Sequence, residues 1–298
     1  MTPEEVLSHP ARVLTQEQRE FYFANGYATV EGAISKAWLD RLRTVSEEMV
    51  EAARSVTQSN DVFILEDGHS AATPRLRRLT NPVTHHPVYW EFAAESPSAD
   101  AAADVVGPDV KFYHSKLNFK WARGGQDFKW HQDIQAWPHT NYSPVTIGLY
   151  IDDCDMAQGP LIVARGSHHG PLHSMYDDHE RWVLNIPEEK LPSRDTWDYL
   201  TGPAGTLVLL NCRTVHGSLR NESDRGRPFL LNVYSSADAF PYRPNPLPNK
   251  YEGAIVRGQP ARWAHHDPRP CEIPPDWSAG YRGPWSHQKQ TAGRGPAM

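Results

Sequence analysis

The second half of the chain sets the tightest limit on the fold. From about Val110, short runs rich in Val, Ile, Leu, Tyr and Phe are separated by Gly, Pro, Asn and Asp, the pattern of strands joined by loops. The clearest are KFYHSKLNFKW from Lys111, SPVTIGLYI from Ser143, GPLIVA from Gly159, GTLVLL from Gly205 and RPFLLNVY from Arg227. Short strands without intervening helices favour an antiparallel sandwich or barrel over a parallel sheet. The expected class is mainly β with flanking helices. A chain of 298 residues can bury a large core, and one domain over 1–298 is expected. Within it, elements of 1–109 pack on a core at 110–243, and a Pro-rich segment at 244–298 wraps the body irregularly and frays at its end.

Two helices precede the strands. Thr15 with Gln18 forms a capping box for QEQREFYFAN, Asn25-Gly26 closes it, and a strand follows. Ser35 can cap KAWLDRLRTVSEEMVEAARSV, where Trp38, Leu39, Leu42, Val45, Met49 and Ala52 recur at helical spacing and define a buried face.

The formal charge of -6 and pI near 6.2 oppose broad attraction to nucleic acid or anionic lipid and leave a small molecule as the expected partner. Cys154, Cys212 and Cys271 have no C-x-x-C spacing, which opposes a disulfide framework or a cysteine zinc site. No stretch approaches the roughly 20 apolar residues of a membrane span. These features predict a cytoplasmic protein.

In Trp130-His131-Gln132-Asp133 an imidazole and a carboxylate sit at i and i+2, which places them on one side of extended backbone. A third ligand must come from elsewhere, and NCRTVHGS supplies His216 after the apolar run Leu207 to Leu210. Two imidazoles and one carboxylate on one face of an octahedral ion form the site of non-haem Fe(II) oxygenases, with positions left for cosubstrate and oxygen. A bare H-x-D also arises by chance, so the neighbours matter. Ser218 lies two residues past His216, and Arg227 eleven past it, before the strand Phe229 to Tyr234. A 2-oxoglutarate molecule chelating iron needs a hydroxyl and a cation at its far carboxylate, and Arg offers a planar fork. A surface ion pair is the alternative for Arg227.

Together His131-Gln-Asp133, GPLIVARGSH, His216-Gly-Ser218 and Arg227 resemble the phytanoyl-CoA dioxygenase family. The likeness runs from about Leu14 to Asp238 and includes the helix-Asn-Gly-Tyr opening. It implies a double-stranded β-helix (jelly roll) that binds Fe(II) and 2-oxoglutarate and uses O2 to hydroxylate a substrate, releasing succinate and CO2. The segment HSKLNFKW through FKWHQDIQAW is most similar to the ectoine hydroxylase branch. That similarity implies Asn118 and Trp137 at the cosubstrate or substrate pocket and Phe128 near the substrate, and with them Trp130 as a wall. The chain departs from that branch at Leu231, where an aromatic residue would help to cage a cationic substrate.

Arg165 and Arg213 are expected near the site mouth, where either meets a substrate carboxylate or pairs within the protein. Of Lys116 and Lys120 on one strand, one is expected to face the pocket. His168 and His169 belong to a turn, and His85-His86 to the surface. The substrate expected is a compact polar metabolite with a carboxylate or similar anion, neither ectoine nor an acyl-CoA. Three rivals use the same scaffold. A halogenase would need a small residue in place of Asp133. A zinc hydrolase would have no use for Arg227 at a fixed offset. A non-catalytic binding protein would have no need of the intact ligands and anion partner.

Overall fold

The structure, a computed structural model, describes residues 1–281 and 283–288. Helices α1 (Pro3–Ser8), α2 (Gln16–Asn25), α3 (Lys36–Ala52), α4 (Pro82–His85), α5 (Pro87–Glu95) and α6 (Pro97–Val106) precede most strands. The strands are β1 (Tyr27–Val30), β2 (Phe63–Leu65), β3 (Leu76–Thr80), β4 (Val110–Lys120), β5 (Phe128–His131), β6 (Val145–Tyr150), β7 (Leu161–Ala164), β8 (Trp197–Leu200), β9 (Leu207–Asn211), β10 (His216–Ser218), β11 (Arg227–Ser236) and β12 (Ile255–Arg257). A final helix, α7, spans Pro284–Gln288.

Two antiparallel sheets result. The larger runs β1-β9-β6-β11-β4-β3-β2, with β12 also on β4, and the smaller runs β5-β10-β7-β8. Non-consecutive neighbours mark the crossovers of a jelly roll, in agreement with the class expected from the strand-and-loop pattern. Register fixes which side chains share a face: Lys116, Asn118 and Lys120 on β4 lie opposite Leu231, Phe229 and Arg227 on β11.

The larger sheet carries the main core, where Phe112, Leu117, Ile147, Leu209 and Tyr234 are buried together with α3, α5 and α6. The Thr15 capping box forms as expected, and Gly26 ends α2 with a left-handed φ of 84°. A Cβ on Gly26 would lie 2.5 Å from both His168 Nδ1 and Thr214 Oγ1, so glycine is needed there twice over. Helix α3 buries Leu39, Leu42 and Val45 as its period requires, but its last apolar contact is Ala53 rather than the exposed Ala52.

Helices α4 to α6 were not anticipated. Helix α6, PSADAAADVV, is buried over nearly its whole surface, so it carries no amphipathic period to read. From Pro244 the chain is mostly irregular, as expected, apart from β12, a 3-10 turn at Trp277–Ala279 and α7; the end said to fray lies outside the described residues. No helix among the described residues is long and apolar enough to cross a membrane.

Candidate metal centre

The smaller sheet carries the ligands. His216 on β10 pairs in register with His131 on β5, which brings the two imidazole rings to 4.1 Å between centroids. Gln132 continues the extended backbone (φ -122°, ψ 127°), and Asp133 then opens a 3-10 turn. Asp133 Oδ1 lies 3.6 Å from His131 Nε2 and 3.9 Å from His216 Nε2. One ligand atom from each of the three residues falls within 4.8 Å of the others, and all three residues are buried.

The far side of each ligand is fixed. His131 Nδ1 donates to the Lys129 carbonyl and His216 Nδ1 to the Thr214 carbonyl, each at 2.9 Å, so both rings present Nε2 to the centre. Thr146 Oγ1 donates to Asp133 Oδ2 at 2.9 Å. Such outer partners set ring tautomer and carboxylate orientation for metal binding. Burial, then the neighbouring His131, lowers the His216 pKa to about 3, so its ring is neutral and able to ligate. Burial opposes ionisation of Asp133, but Lys116 and the two imidazoles outweigh it and hold the carboxyl well below its ordinary range. The donor set suits a divalent transition ion.

From this centre a cavity of about 90 Å³ runs between the sheets to Arg227, Ser218, Phe229 and Leu161. Arg227 is 3% exposed, and its Nε and Nη1 have no hydrogen-bond partner among the described residues. Its guanidinium lies 5.2 Å from the Phe229 ring centroid and 5.8 Å from that of Tyr150. A buried, unsatisfied fork is costly unless an anion meets it, so the residues present fit the far carboxylate of 2-oxoglutarate.

Gly148 makes room for this arrangement, since a Cβ there would lie 2.3 Å from Phe229 Cζ. Gly148→Ala is expected to push the ring towards the guanidinium. The change should cost about 1–3 kcal/mol of stability by overpacking and weaken 2-oxoglutarate binding. A urea midpoint and cosubstrate affinity both equal to those of the parent would contradict this.

Of the other expected residues, Asn118, Phe128 and Leu231 line the main cavity. Lys116 and Lys120 both line it, not one of them, because positions two apart along β4 share a face. Burial brings the Lys116 pKa to about 8 and holds Lys120 well below its ordinary value, with the Lys120 ammonium on the Leu219 carbonyl.

Trp137 is not in the Arg227 chamber. It lines a smaller chamber of about 40 Å³ that shares His131, Asp133, Arg78, Lys116 and Phe128 with the main cavity. Trp130 is no wall either: alternation along β5 turns it away from the side His131 faces, and it packs on Trp197 with ring centroids 4.6 Å apart.

Neither Arg165 nor Arg213 lines the two chambers at the metal centre. Arg165 pairs with Asp198 at 3.0 Å on the surface. Arg213 donates to the carbonyls of His168 and Gly170 and lies over the Tyr142 ring, so its charge is spent on a turn. His168 bonds the Phe23 carbonyl at 2.9 Å.

Sequence reasoning missed Arg78, Trp285 and Tyr281. Arg78 reaches the cavity because β3 pairs with β4 in the register Arg78↔Asn118. Trp285 and Tyr281 come from the Pro-rich segment; Trp285 meets Phe128 edge-on at 5.4 Å.

The phytanoyl-CoA dioxygenase family model matches residues 22–229. A protein named as a probable alpha-ketoglutarate-dependent hypophosphite dioxygenase, from Stutzerimonas stutzeri, is 30% identical over 271 residues, covering 88% of this chain and 91% of its own. Ectoine dioxygenase of S. stutzeri strain A1501 is 30% identical over 249 residues, 76% of this chain and 77% of its own. Among solved structures, the apo form of EctD from S. alaskensis aligns with a TM-score of 0.68 at 22% identity, over 85% of this chain and 90% of that one, a likeness of fold. The chain therefore belongs to the phytanoyl-CoA dioxygenase family and is a 2-oxoglutarate- and iron-dependent dioxygenase.

Proposed function

We propose that this chain is a single cytoplasmic oxygenase domain that hydroxylates a compact substrate bearing a carboxylate or similar anionic group, releasing succinate and CO2. The observation that carries the reading is the buried Arg227, whose Nε and Nη1 have no partner among the described residues, at the far end of the cavity that holds His131, Asp133 and His216. A zinc hydrolase has no use for a buried anion seat so placed, and a halogenase would have no carboxylate at position 133.

His131, Asp133 and His216 would hold Fe(II), with Thr146 orienting the carboxylate and two backbone carbonyls orienting the rings. Arg227 and Ser218 would take the far carboxylate of 2-oxoglutarate, and Asn118 lies on the wall between. When bound, iron, 2-oxoglutarate and O2 supply the oxidation itself. The protein's part is to place the target bond and keep it from bulk water. Phe128 and Leu231, both at the cavity wall, and Trp137 in the adjoining chamber do this with apolar surface.

The substrate reading draws on two facts. Leu231 stands where a cage for a cation would place an aromatic face, which weakens the case for ectoine. The hypophosphite dioxygenase matches along nearly its whole length, and the substrate in its name is a small anion. Free cysteines Cys154, Cys212 and Cys271 accord with a reducing compartment.

Adding Fe(II) and 2-oxoglutarate without oxygen should produce the weak visible charge-transfer band of a chelated keto acid. An unchanged spectrum, with iron shown by elemental analysis to be bound, would refute the chelate.

A further inference from the structure

The chamber beside the metal centre contains more positive charge than the cosubstrate accounts for. Arg78 is 4% exposed, and its one hydrogen bond among the described residues is from Nε to Asn118 Oδ1 at 2.8 Å. Its terminal nitrogens meet no carboxylate among those residues, and the guanidinium lies 4.5 Å from the Trp285 ring centroid. Lys116, two residues from Asn118 on the same face of β4, lines the same two chambers and makes no hydrogen bond or ion pair among the described residues.

The neighbouring cations are accounted for. Arg77 is paired with Glu66 through Nε at 3.2 Å and Nη2 at 2.7 Å, both side chains being buried. Lys120 is capped by the Leu219 carbonyl. Arg227 would be answered by the far carboxylate of 2-oxoglutarate, and a ferrous ion by Asp133 and the keto acid end. Asp133 is the one carboxylate lining the smaller chamber among the described residues. His114, fully buried there, is held neutral by its burial. Arg78 and Lys116 are then left without an anion, and for the buried Arg78 that costs several kcal/mol.

Resting on the oxygenase reading above, we infer that Arg78 and Lys116 form the substrate's anion seat and that they take a compact oxyanion, a phosphinate, phosphonate or carboxylate head group. The chamber's size supports a small ligand, since a cavity of about 40 Å³ walled by Trp137, Leu184 and Tyr281 leaves no space for a nucleotide or acyl carrier. Asp133 is shared by both chambers, so a head group on Arg78 and Lys116 holds the attached bond beside the metal centre. The planar fork of Arg78 gives direction to the seat and the ammonium of Lys116 gives charge.

The test uses tryptophan fluorescence, because Trp285 covers Arg78 and the signal does not require iron. The protein is titrated with hypophosphite, methylphosphonate and acetate, first alone and then with Fe(II) and saturating 2-oxoglutarate under nitrogen. At least one anion should bind saturably in both conditions, and the three arms separate phosphorus oxyanions from carboxylates. Arg78→Gln and Lys116→Met should each weaken that anion about ten- to a hundredfold, a larger change than either makes in the 2-oxoglutarate requirement of the charge-transfer band. Arg78→Lys should recover part of the loss, which a misfolded variant would not. If no anion perturbs the parent, or if the variants weaken 2-oxoglutarate instead, the seat is refuted. An anion response with no charge-transfer band would refute the iron chelate and leave the seat standing.

Discussion

Asp133→Ala is expected to reduce succinate formation coupled to substrate by at least about a hundredfold, since removing mere outer partners of metal ligands already costs ten- to a hundredfold. The carboxylate lies 3.6 and 3.9 Å from the two imidazole Nε2 atoms and accepts from Thr146, so nothing else described can take its place. Its loss removes little apolar burial. The fold should therefore persist, as judged by far-ultraviolet circular dichroism, while bound iron falls on dialysis. Near-normal coupled turnover in this variant would mean that the metal is held elsewhere.

The second large effect is that of Arg227→Ala. A charge-assisted bond to a carboxylate contributes roughly 1.5 to 3 kcal/mol, or about ten- to a hundredfold in affinity. The half-saturating concentration of 2-oxoglutarate should rise by that factor, with much less change in the dependence on substrate, whose proposed seat is Arg78 and Lys116. Arg227→Lys should restore charge without the two-pronged geometry and fall between. Equal effects on both dependences would give Arg227 another role.

Much of this site is legible in the sequence because it is local. His131 and Asp133 are two apart, and His216, Ser218 and Arg227 follow one apolar run and precede another. The apolar strands are legible for the same reason: five apolar runs match β4, β6, β9 and β11 of the larger sheet and β7 of the smaller. Strands β5, β8 and β10 are three or four residues long and rich in polar side chains, so they resemble loops until their partners are known.

Pairing between distant strands is what the sequence withholds. Arg78 sits in a plain LRRLT and becomes a cavity residue only through the alignment of β3 with Asn118. Arg165 and Arg213 mislead in the opposite direction. Both are close in the chain to site residues, yet Asp198 and two backbone carbonyls claim them. Trp130 was legible in principle, because a neighbour of His131 in a strand must face the other way.

Two buried guanidiniums that meet no carboxylate among the described residues, Arg227 and Arg78, make the empty protein less stable than the loaded one. A ligand that binds only the folded state adds about 2.7 kcal/mol at a hundredfold excess over its dissociation constant. In a cell, proteases act on the population that opens, and that population shrinks steeply with each such increment. The half-life of this enzyme is therefore expected to depend on its own metabolites. When 2-oxoglutarate or substrate is scarce, catalyst would then be lost along with flux.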